Sequence, residues 1–289
     1  MLFSNTTLPI QRKYGVESAV RMMIEAGYPA IDISMLDTKG EIFGDGYAAL
    51  ADKLLGISDE SGVKYVQAHA PFGGGCKNYL DNLVPLFPRA FEFCARVGID
   101  TIVVHPIQDG RYYGNEERLY DANMRFYSAL MPLARTNGVR IGIENMWMRH
   151  PVTGHICDDV CAPPEELVRY YDSLGDPDVF TICLDTGHVA LCGREPEDAI
   201  RAIGHDRLGA LHVHDVDYVT DLHTVPGAGK INWDNVCRAL GEIDYVGVFN
   251  MEVESFYGNL PEEHYPAITR YMAETARVLS DKVDLYRMK

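Results

Sequence analysis

The chain alternates eight times between a short apolar strand and an amphipathic helix, and this repetition limits the possible folds more than any other feature. Apolar runs bounded by turn residues predict strands, and apolar residues at helical spacing predict the helices between them. The predicted strands are 2–5, 30–35, 63–70, 100–106, 139–145, 179–188, 207–214 and 245–254. The predicted helices are 16–26, 47–61, 83–97, 115–136, 164–174, 195–203, 233–240 and 265–279.

Eight such units predict an α/β fold, a (β/α)8 TIM barrel, built as one domain over residues 1–289. A strand-helix-strand unit needs about 30 residues and a whole barrel about 250, so the length is sufficient. The alternative is a doubly wound open sheet, which would usually carry a glycine-rich phosphate turn after its first strand. The sequence there is FSNTTLP, which favours the barrel.

Side chains that bind metals stand at the ends of six predicted strands: His69, His105, Glu144, Asp185, His212 and Glu252. The carboxyl ends of barrel strands converge on one face, so these groups should meet there. Any one of them alone could have a structural role instead, for example by capping the next helix. Several buried carboxylates together need a cation, because an unpaired buried charge costs several kcal/mol.

Residues 209–229, GALHVHDVDYVTDLHTVPGAG, hold the densest group of such side chains. Alternation along the strand puts His212 and His214 on the same inward face, so either imidazole could be the ligand. Combined with Glu144, Asp185 and Glu252, one of them gives a mixed oxygen and nitrogen set. Such a set is typical of a site for one divalent ion, Mn, Mg, Co or Zn, and differs from a site built from cysteine thiolates.

The composition narrows the class of partner. The net charge of −16 argues against nucleic acid, since proteins that bind it usually carry a basic surface. No apolar run approaches a membrane span, and residues 1–13 lack a signal-peptide core, so we expect a cytoplasmic protein. Seven scattered cysteines predict reduced thiols. A homo-oligomer is compatible with the sequence.

Four segments, IENM, CLDTGH, LHVHD with PGAGKINW, and NMEVE, resemble motifs of the xylose-isomerase-like TIM barrel superfamily across roughly residues 63–254. That superfamily includes tagatose 3-epimerase, hydroxypyruvate isomerase and endonuclease IV. The resemblance implies a metal-dependent isomerase or epimerase of a sugar or related hydroxy-carbonyl compound. It assigns the metal to Glu144, Asp185, His212 and Glu252, with His212 preferred over His214 because HVHD fits the family pattern.

In this scheme Glu144 and Glu252 are catalytic. They take a proton from the substrate and return it, with an enediolate as the intermediate. We expect the substrate to be sugar-like and to contact His69, His105, His188, His214, His223, Trp147 and His150. The aromatic residues Phe72, Tyr112, Tyr113 and Trp233 could also line a sugar pocket. His150 and Tyr218 stand where tagatose 3-epimerases have a glutamate and an arginine, which predicts a different substrate or pose.

Two alternatives stay open. The endonuclease IV pattern implies a trinuclear zinc phosphodiesterase, with additional metal at His69, His105, His188, Asp221 and His223. The loop after His69 is PFGGG and lacks the tyrosine-leucine wedge expected of that enzyme. The second alternative is a lyase or dehydratase of the inosose-dehydratase or 3-oxo-glycoside type, which would use the same site and then eliminate a group.

Overall fold

A computed structural model describes residues 1–258 and 260–288 of the chain. The strands, in chain order, are β1 (Phe3–Asn5), β2 (Ala30–Ser34), β3 (Lys64–His69), β4 (Thr101–Val104), β5 (Arg140–Glu144), β6 (Trp147–Arg149), β7 (Ile156–Asp158), β8 (Phe180–Asp185), β9 (Leu208–His212) and β10 (Phe249–Met251). The helices are α1 (Leu8–Tyr14), α2 (Val16–Glu25), α3 (Tyr47–Ser61), α4 (Gly75–Asn78), α5 (Phe87–Val97), α6 (Glu116–Asn137), α7 (Pro164–Leu174), α8 (Thr186–Leu191), α9 (Pro196–Ile203), α10 (Trp233–Glu242) and α11 (Tyr265–Arg287).

Eight parallel strands close into a barrel. Six of them pair in the order β2-β3-β4-β5-β8-β9, and β1 pairs with β10. The two groups are joined by single parallel bridges, Thr6 to Asp32 at one seam and Val213 to Met251 at the other. The predicted (β/α)8 barrel is therefore confirmed, with β6 and β7 forming a separate antiparallel hairpin above it.

A polar network links the strands across one seam inside the barrel. Asn250 and Gln67 both donate to Asp32 Oδ2, at 2.8 Å and 3.3 Å, and Ser4 Oγ donates to Asn250 Oδ1. These four side chains are buried. Buried polar groups cost free energy unless they are paired, and here the pairing also connects β1, β2, β3 and β10.

The helices pack on the outside of the barrel through apolar stripes. In α5 the buried residues Phe87, Ala90, Phe91 and Cys94 recur at intervals of three and four, which puts them on one face. This helix ends at Gly98, whose φ of 81° is the left-handed conformation that glycine adopts without a steric cost. Among the described residues, no helix combines the length and the hydropathy that a membrane span requires.

The predicted bounds differ from the observed ones in several places; two predicted elements were wrong in part, and one pair of strands was missed. The strand predicted over 179–188 ends at Asp185, because this side chain accepts the backbone N–H of His188 at 2.7 Å and begins α8. The helix predicted over 83–97 becomes regular only at Phe87; a short helix, a wide turn and a 3-10 turn precede it in a segment that contains Pro85 and Pro88. The short strand pair β6–β7 was not predicted.

Candidate metal centre

Four side chains from separate strand ends converge at the carboxyl mouth of the barrel. Glu144, Asp185, His212 and Glu252 each offer one ligand atom, and these four atoms lie within 4.8 Å of one another. His212 Nδ1 is 2.9 Å from Glu144 Oε1 and 3.5 Å from Glu252 Oε2. All four residues are buried, so their charges have little access to water. The strand ends place them here because Asp185 of β8 pairs with His212 of β9, while Glu144 ends the neighbouring β5 and pairs with Cys183, two residues before Asp185.

A second group shares Glu144 with the first. His69 Nε2 and His105 Nε2 lie 3.1 Å apart, and His105 Nε2 is 3.0 Å from Glu144 Oε2. The ring of Phe72 stacks on that of His105 with centroids 4.0 Å apart. Since Glu144 has one oxygen toward each group, it could bridge two cations.

A third group lies on the other side of the mouth and consists of His188, His214, Asp221 and His223, whose ligand atoms also fall within 4.8 Å of one another. His223 Nε2 is 3.2 Å from Asp221 Oδ1, and the His214 ring stacks on the His223 ring at 3.8 Å. His214 Nε2 lies 3.0 Å from Asp185 Oδ1. The structure therefore places His212 in the four-ligand group and His214 beside it, in contact with one of its carboxylates.

The histidines are held in the way that metal-binding histidines usually are. The Nδ1 atoms of His69, His188 and His223 face the carbonyl oxygens of Ala70, Asn145 and Glu252, at 2.8, 2.8 and 3.1 Å. A carbonyl oxygen only accepts, so the proton of each neutral ring is on Nδ1 and the Nε2 lone pair is free for a cation.

Several buried polar atoms of these side chains lack a well-aligned hydrogen bond within the described residues. Glu144 Oε2, His214 Nδ1 and Asp221 Oδ1 are buried and make no aligned hydrogen bond with any described residue. Buried polar atoms without partners are rare because each costs free energy. Carboxylate and imidazole groups that are buried, close together and incompletely hydrogen-bonded fit a divalent ion in the four-ligand group and are compatible with ions in the other two.

The two glutamates of the four-ligand group differ in acidity. Burial raises the pKa of Glu252 to about 7, although the charges of His212 and His223 oppose the shift. Burial also opposes ionisation of Glu144, but the charges of His212 and His105 outweigh it and hold its pKa well below the usual range. Burial lowers the pKa of His105 to about 4, which keeps that ring neutral at pH 7.

One buried carboxylate holds the loop that carries Asp221 and His223. Asp215 accepts four hydrogen bonds, two on each oxygen: Val216 N at 2.9 Å, Ile231 N at 3.1 Å, Gly227 N at 2.8 Å and Trp233 Nε1 at 2.9 Å. The loop contains two non-glycine residues at positive φ, Tyr218 at 68° and His223 at 40°. Such backbone conformations persist only where the surrounding structure holds them.

A cavity of 280 Å³ opens above the ligands. Five residues predicted to bind substrate line it: His69, His105, His188, His223 and Trp147. Glu144, Glu252 and Asp221 line it too, together with Phe72, Gln108, Met146 and Glu254. Its size suits a molecule such as a monosaccharide, since binding cavities are often about 300 Å³ or larger.

Some predicted residues lie elsewhere. His150 is in the β6–β7 turn, where its Nδ1 accepts the backbone N–H of Thr153 at 3.2 Å; it does not line the cavity, so its predicted contact with substrate is not supported. Trp233 is buried against Asp215, and Tyr112 donates to Glu166 away from the cavity. His214 is buried behind His223 and Asp185.

The sequence analysis missed Gln108 and Glu254. Glu254 could have been found, because it follows Glu252 by two residues and an extended chain puts both on one face. Nothing in the sequence around Gln108 distinguishes it from other loop residues. The hairpin that covers this side of the cavity was also missed; a bidentate pair between Asp158 and Arg194, at 2.6 and 2.8 Å, fastens it to the segment after α8.

Comparison with known proteins places this arrangement in context. An uncharacterized protein, MJ1311, of Methanocaldococcus jannaschii is 29% identical over 224 residues, which are 73% of this chain and 73% of that protein. D-psicose 3-epimerase of Enterocloster bolteae is 38% identical over 88 residues, 30% of this chain and 27% of that protein. Probable endonuclease 4 of Mesoplasma florum is 23% identical over 200 residues, 64% of each chain.

Solved structures resemble the whole chain. A D-tagatose 3-epimerase-like protein superposes with a TM-score of 0.76 at 21% identity, covering 100% of this chain and 99% of that one. The IolI protein with a bound zinc atom gives a TM-score of 0.76 at 19% identity, covering 99% of each. At these identities the similarity establishes the fold alone.

The profile of one family, the xylose isomerase-like TIM barrels, matches residues 20–278, which is most of the chain. This match includes every strand-end residue described above. The resemblance read from the four sequence motifs is confirmed, and the chain belongs to the xylose isomerase-like TIM barrel family.

Proposed function

We propose that the protein is a divalent-metal-dependent isomerase or epimerase of a sugar or related hydroxy-carbonyl compound. The observation that carries this proposal is the four-ligand group, Glu144, Asp185, His212 and Glu252, directly beneath a cavity the size of a sugar. The named relatives and structural neighbours include epimerases of small sugars, which supports the same class of substrate.

A bound divalent cation would polarise the substrate carbonyl and balance the negative charge that develops when a proton leaves the adjacent carbon. The proton itself would move on the protein's own carboxylates. Glu252 would accept it, since its carboxylate lines the cavity and lies within reach of a bound substrate. Glu144, which also lines the cavity, would return the proton.

The cavity walls would orient the substrate. His188 has its Nδ1 fixed by the carbonyl oxygen of Asn145, so its Nε2 is available to accept a hydrogen bond from a substrate hydroxyl. The Trp147 and Phe72 side chains supply apolar surface for the carbon face of a sugar. Both kinds of contact would hold the reacting carbon near the two glutamates.

Proton exchange in deuterated water tests this function directly. The purified protein, loaded with Mn, Mg, Co or Zn, is incubated with ketoses, inososes and 3-oxo-glycosides and followed by NMR. We expect exchange at the carbon next to the carbonyl, and we expect Glu252→Gln and Glu144→Gln to lose at least about a hundredfold of that rate. Full exchange in either variant would overturn the assignment of that glutamate.

A second candidate, a trinuclear zinc phosphodiesterase, is favoured by the two additional ligand groups. The two functions conflict at Glu144. If a cation occupies the group of His69, His105 and Glu144, both oxygens of Glu144 are engaged and it cannot carry a proton. Metal analysis separates the candidates: about one ion per chain supports the isomerase, whereas three ions and cleavage of abasic DNA support the phosphodiesterase.

A further inference from the structure

Two groups that line the cavity, Glu254 and Gln108, have no part in the ligand groups. The Glu254 carboxylate makes no ion pair and no hydrogen bond with any residue from 1–258 or 260–288. It is only partly buried and lies on the same wall as Glu252. A carboxylate in this position can accept hydrogen bonds only from a ligand or from water.

Gln108 is oriented by its neighbours. Its Nε2 donates to Asp159 Oδ2 at 2.7 Å and to the carbonyl oxygen of Trp147 at 3.3 Å. Both amide protons are therefore used, and the opposite orientation would put Oε1 against two acceptors. Only Oε1, an acceptor, is left for a ligand.

The side chains that line the cavity carry an excess of negative charge. Among the described residues that line it there is neither lysine nor arginine, whereas four carboxylates do line it: Glu144, Asp221, Glu252 and Glu254. One divalent cation would not neutralise these four and Asp185. Three cations would reverse the sign, so the argument below holds for a single occupied centre.

We infer that Glu254 determines substrate specificity, with Gln108, by accepting hydrogen bonds from hydroxyl groups of an uncharged polyhydroxylated substrate and by repelling substrates that carry a phosphate. This inference rests on the proposed isomerase function and adds the substrate-recognising residues to it. Phosphate binding in proteins usually relies on arginine, lysine or backbone N–H groups, and this cavity presents acceptors instead.

Trp147 offers a signal that does not depend on turnover. The chain has two tryptophans, and only Trp147 lines the cavity, since Trp233 is buried against Asp215. The experiment titrates protein loaded with one divalent ion per chain with matched pairs of ligands: D-fructose, D-xylulose and D-ribulose, each with its terminal phosphate ester. Trp147→Phe shows which part of the fluorescence change comes from the cavity.

We expect the free ketoses to bind at least about tenfold more tightly than their phosphate esters, which corresponds to one charge-assisted contact. Glu254→Gln should weaken binding of the free ketose and reduce the difference in affinity between the free ketose and its phosphate ester. Glu254→Lys should reverse the preference, and the metal content should not change. Glu60→Lys is the matched control, because Glu60 is exposed near the end of α3 and lies outside the cavity.

The outcomes separate this inference from the proposed function. Equal or tighter binding of the phosphate esters, no binding of any ketose, or an unchanged preference in Glu254→Lys would overturn the inference. Proton exchange on a phosphate ester would overturn it and still support the isomerase. Binding with the expected preference but without proton exchange on any ligand would support the role of Glu254 and reject the isomerase.

Discussion

The carboxylate of Asp215 anchors the loop that carries Asp221 and His223, and Asp215→Asn tests how much this anchor contributes. The asparagine keeps one acceptor oxygen and replaces the other with an NH2 group that faces two N–H donors. Two of the four hydrogen bonds are lost: those from the buried Val216 N and Ile231 N, or those from the buried Trp233 Nε1 and from Gly227 N, which belongs to an exposed residue. A hydrogen bond to a charged group contributes about 1.5–3 kcal/mol, so we expect the free energy of unfolding to fall by about 3–6 kcal/mol.

Equilibrium unfolding in urea, followed by circular dichroism, measures this loss. If the loop detaches before the barrel unfolds, the free energy of global unfolding will fall by less than this, and the amides of Gly227 and Ile231 will exchange faster than in the unchanged protein. Asp217→Asn is the matched control, because Asp217 accepts two backbone N–H groups in the same loop but is partly exposed to water. A loss in Asp215→Asn no larger than in this control, with unchanged exchange at both amides, would refute the reasoning.

Three further predictions concern the packing and the metal. Gly187→Ala brings a Cβ into steric conflict with the His214 ring, and we expect urea unfolding to show a loss of about 1–3 kcal/mol in stability. Gly56→Ala is the control: Gly56 lies in α3 with open space around it and without a positive φ, so this change should stabilise the fold by about 0.5–1 kcal/mol. Asp185→Asn still caps α8, so circular dichroism should not change while the bound metal, measured by mass spectrometry, falls. Removing metal with a chelator should lower the melting temperature, by an amount equivalent to about 2.7 kcal/mol if free metal had been at a hundred times its Kd; an unchanged melting temperature would argue against a bound ion.

The sequence predicted those parts of the fold that repeat. Eight apolar runs separated by amphipathic helices could form only a few architectures, and the strand ends then indicated which residues would meet. His69, His105, Glu144, Asp185, His212 and Glu252 were all chosen because each ends a strand, and the structure brings them together.

The remaining parts depend on contacts between distant residues. The β6–β7 hairpin has three residues in each strand and lies across the barrel mouth, held in part by the pair between Asp158 and Arg194. Such a segment has too few residues to show a period of two. His150 looked similar to the other histidines in the sequence, but its position in a turn is set by local backbone hydrogen bonds. Asp215 belonged to a recognised motif, yet its partner Trp233 lies 18 residues later.

The seam between β1 and β10 has a consequence for the order in which the protein is made on the ribosome. Ser4 and Asn250, which face each other across this seam, are 246 residues apart in the chain. Glu252 follows β10 directly, so it is synthesised 108 residues after Glu144, 67 after Asp185 and 40 after His212. The four-ligand group is therefore complete only after β10 has been made and can pair with β1.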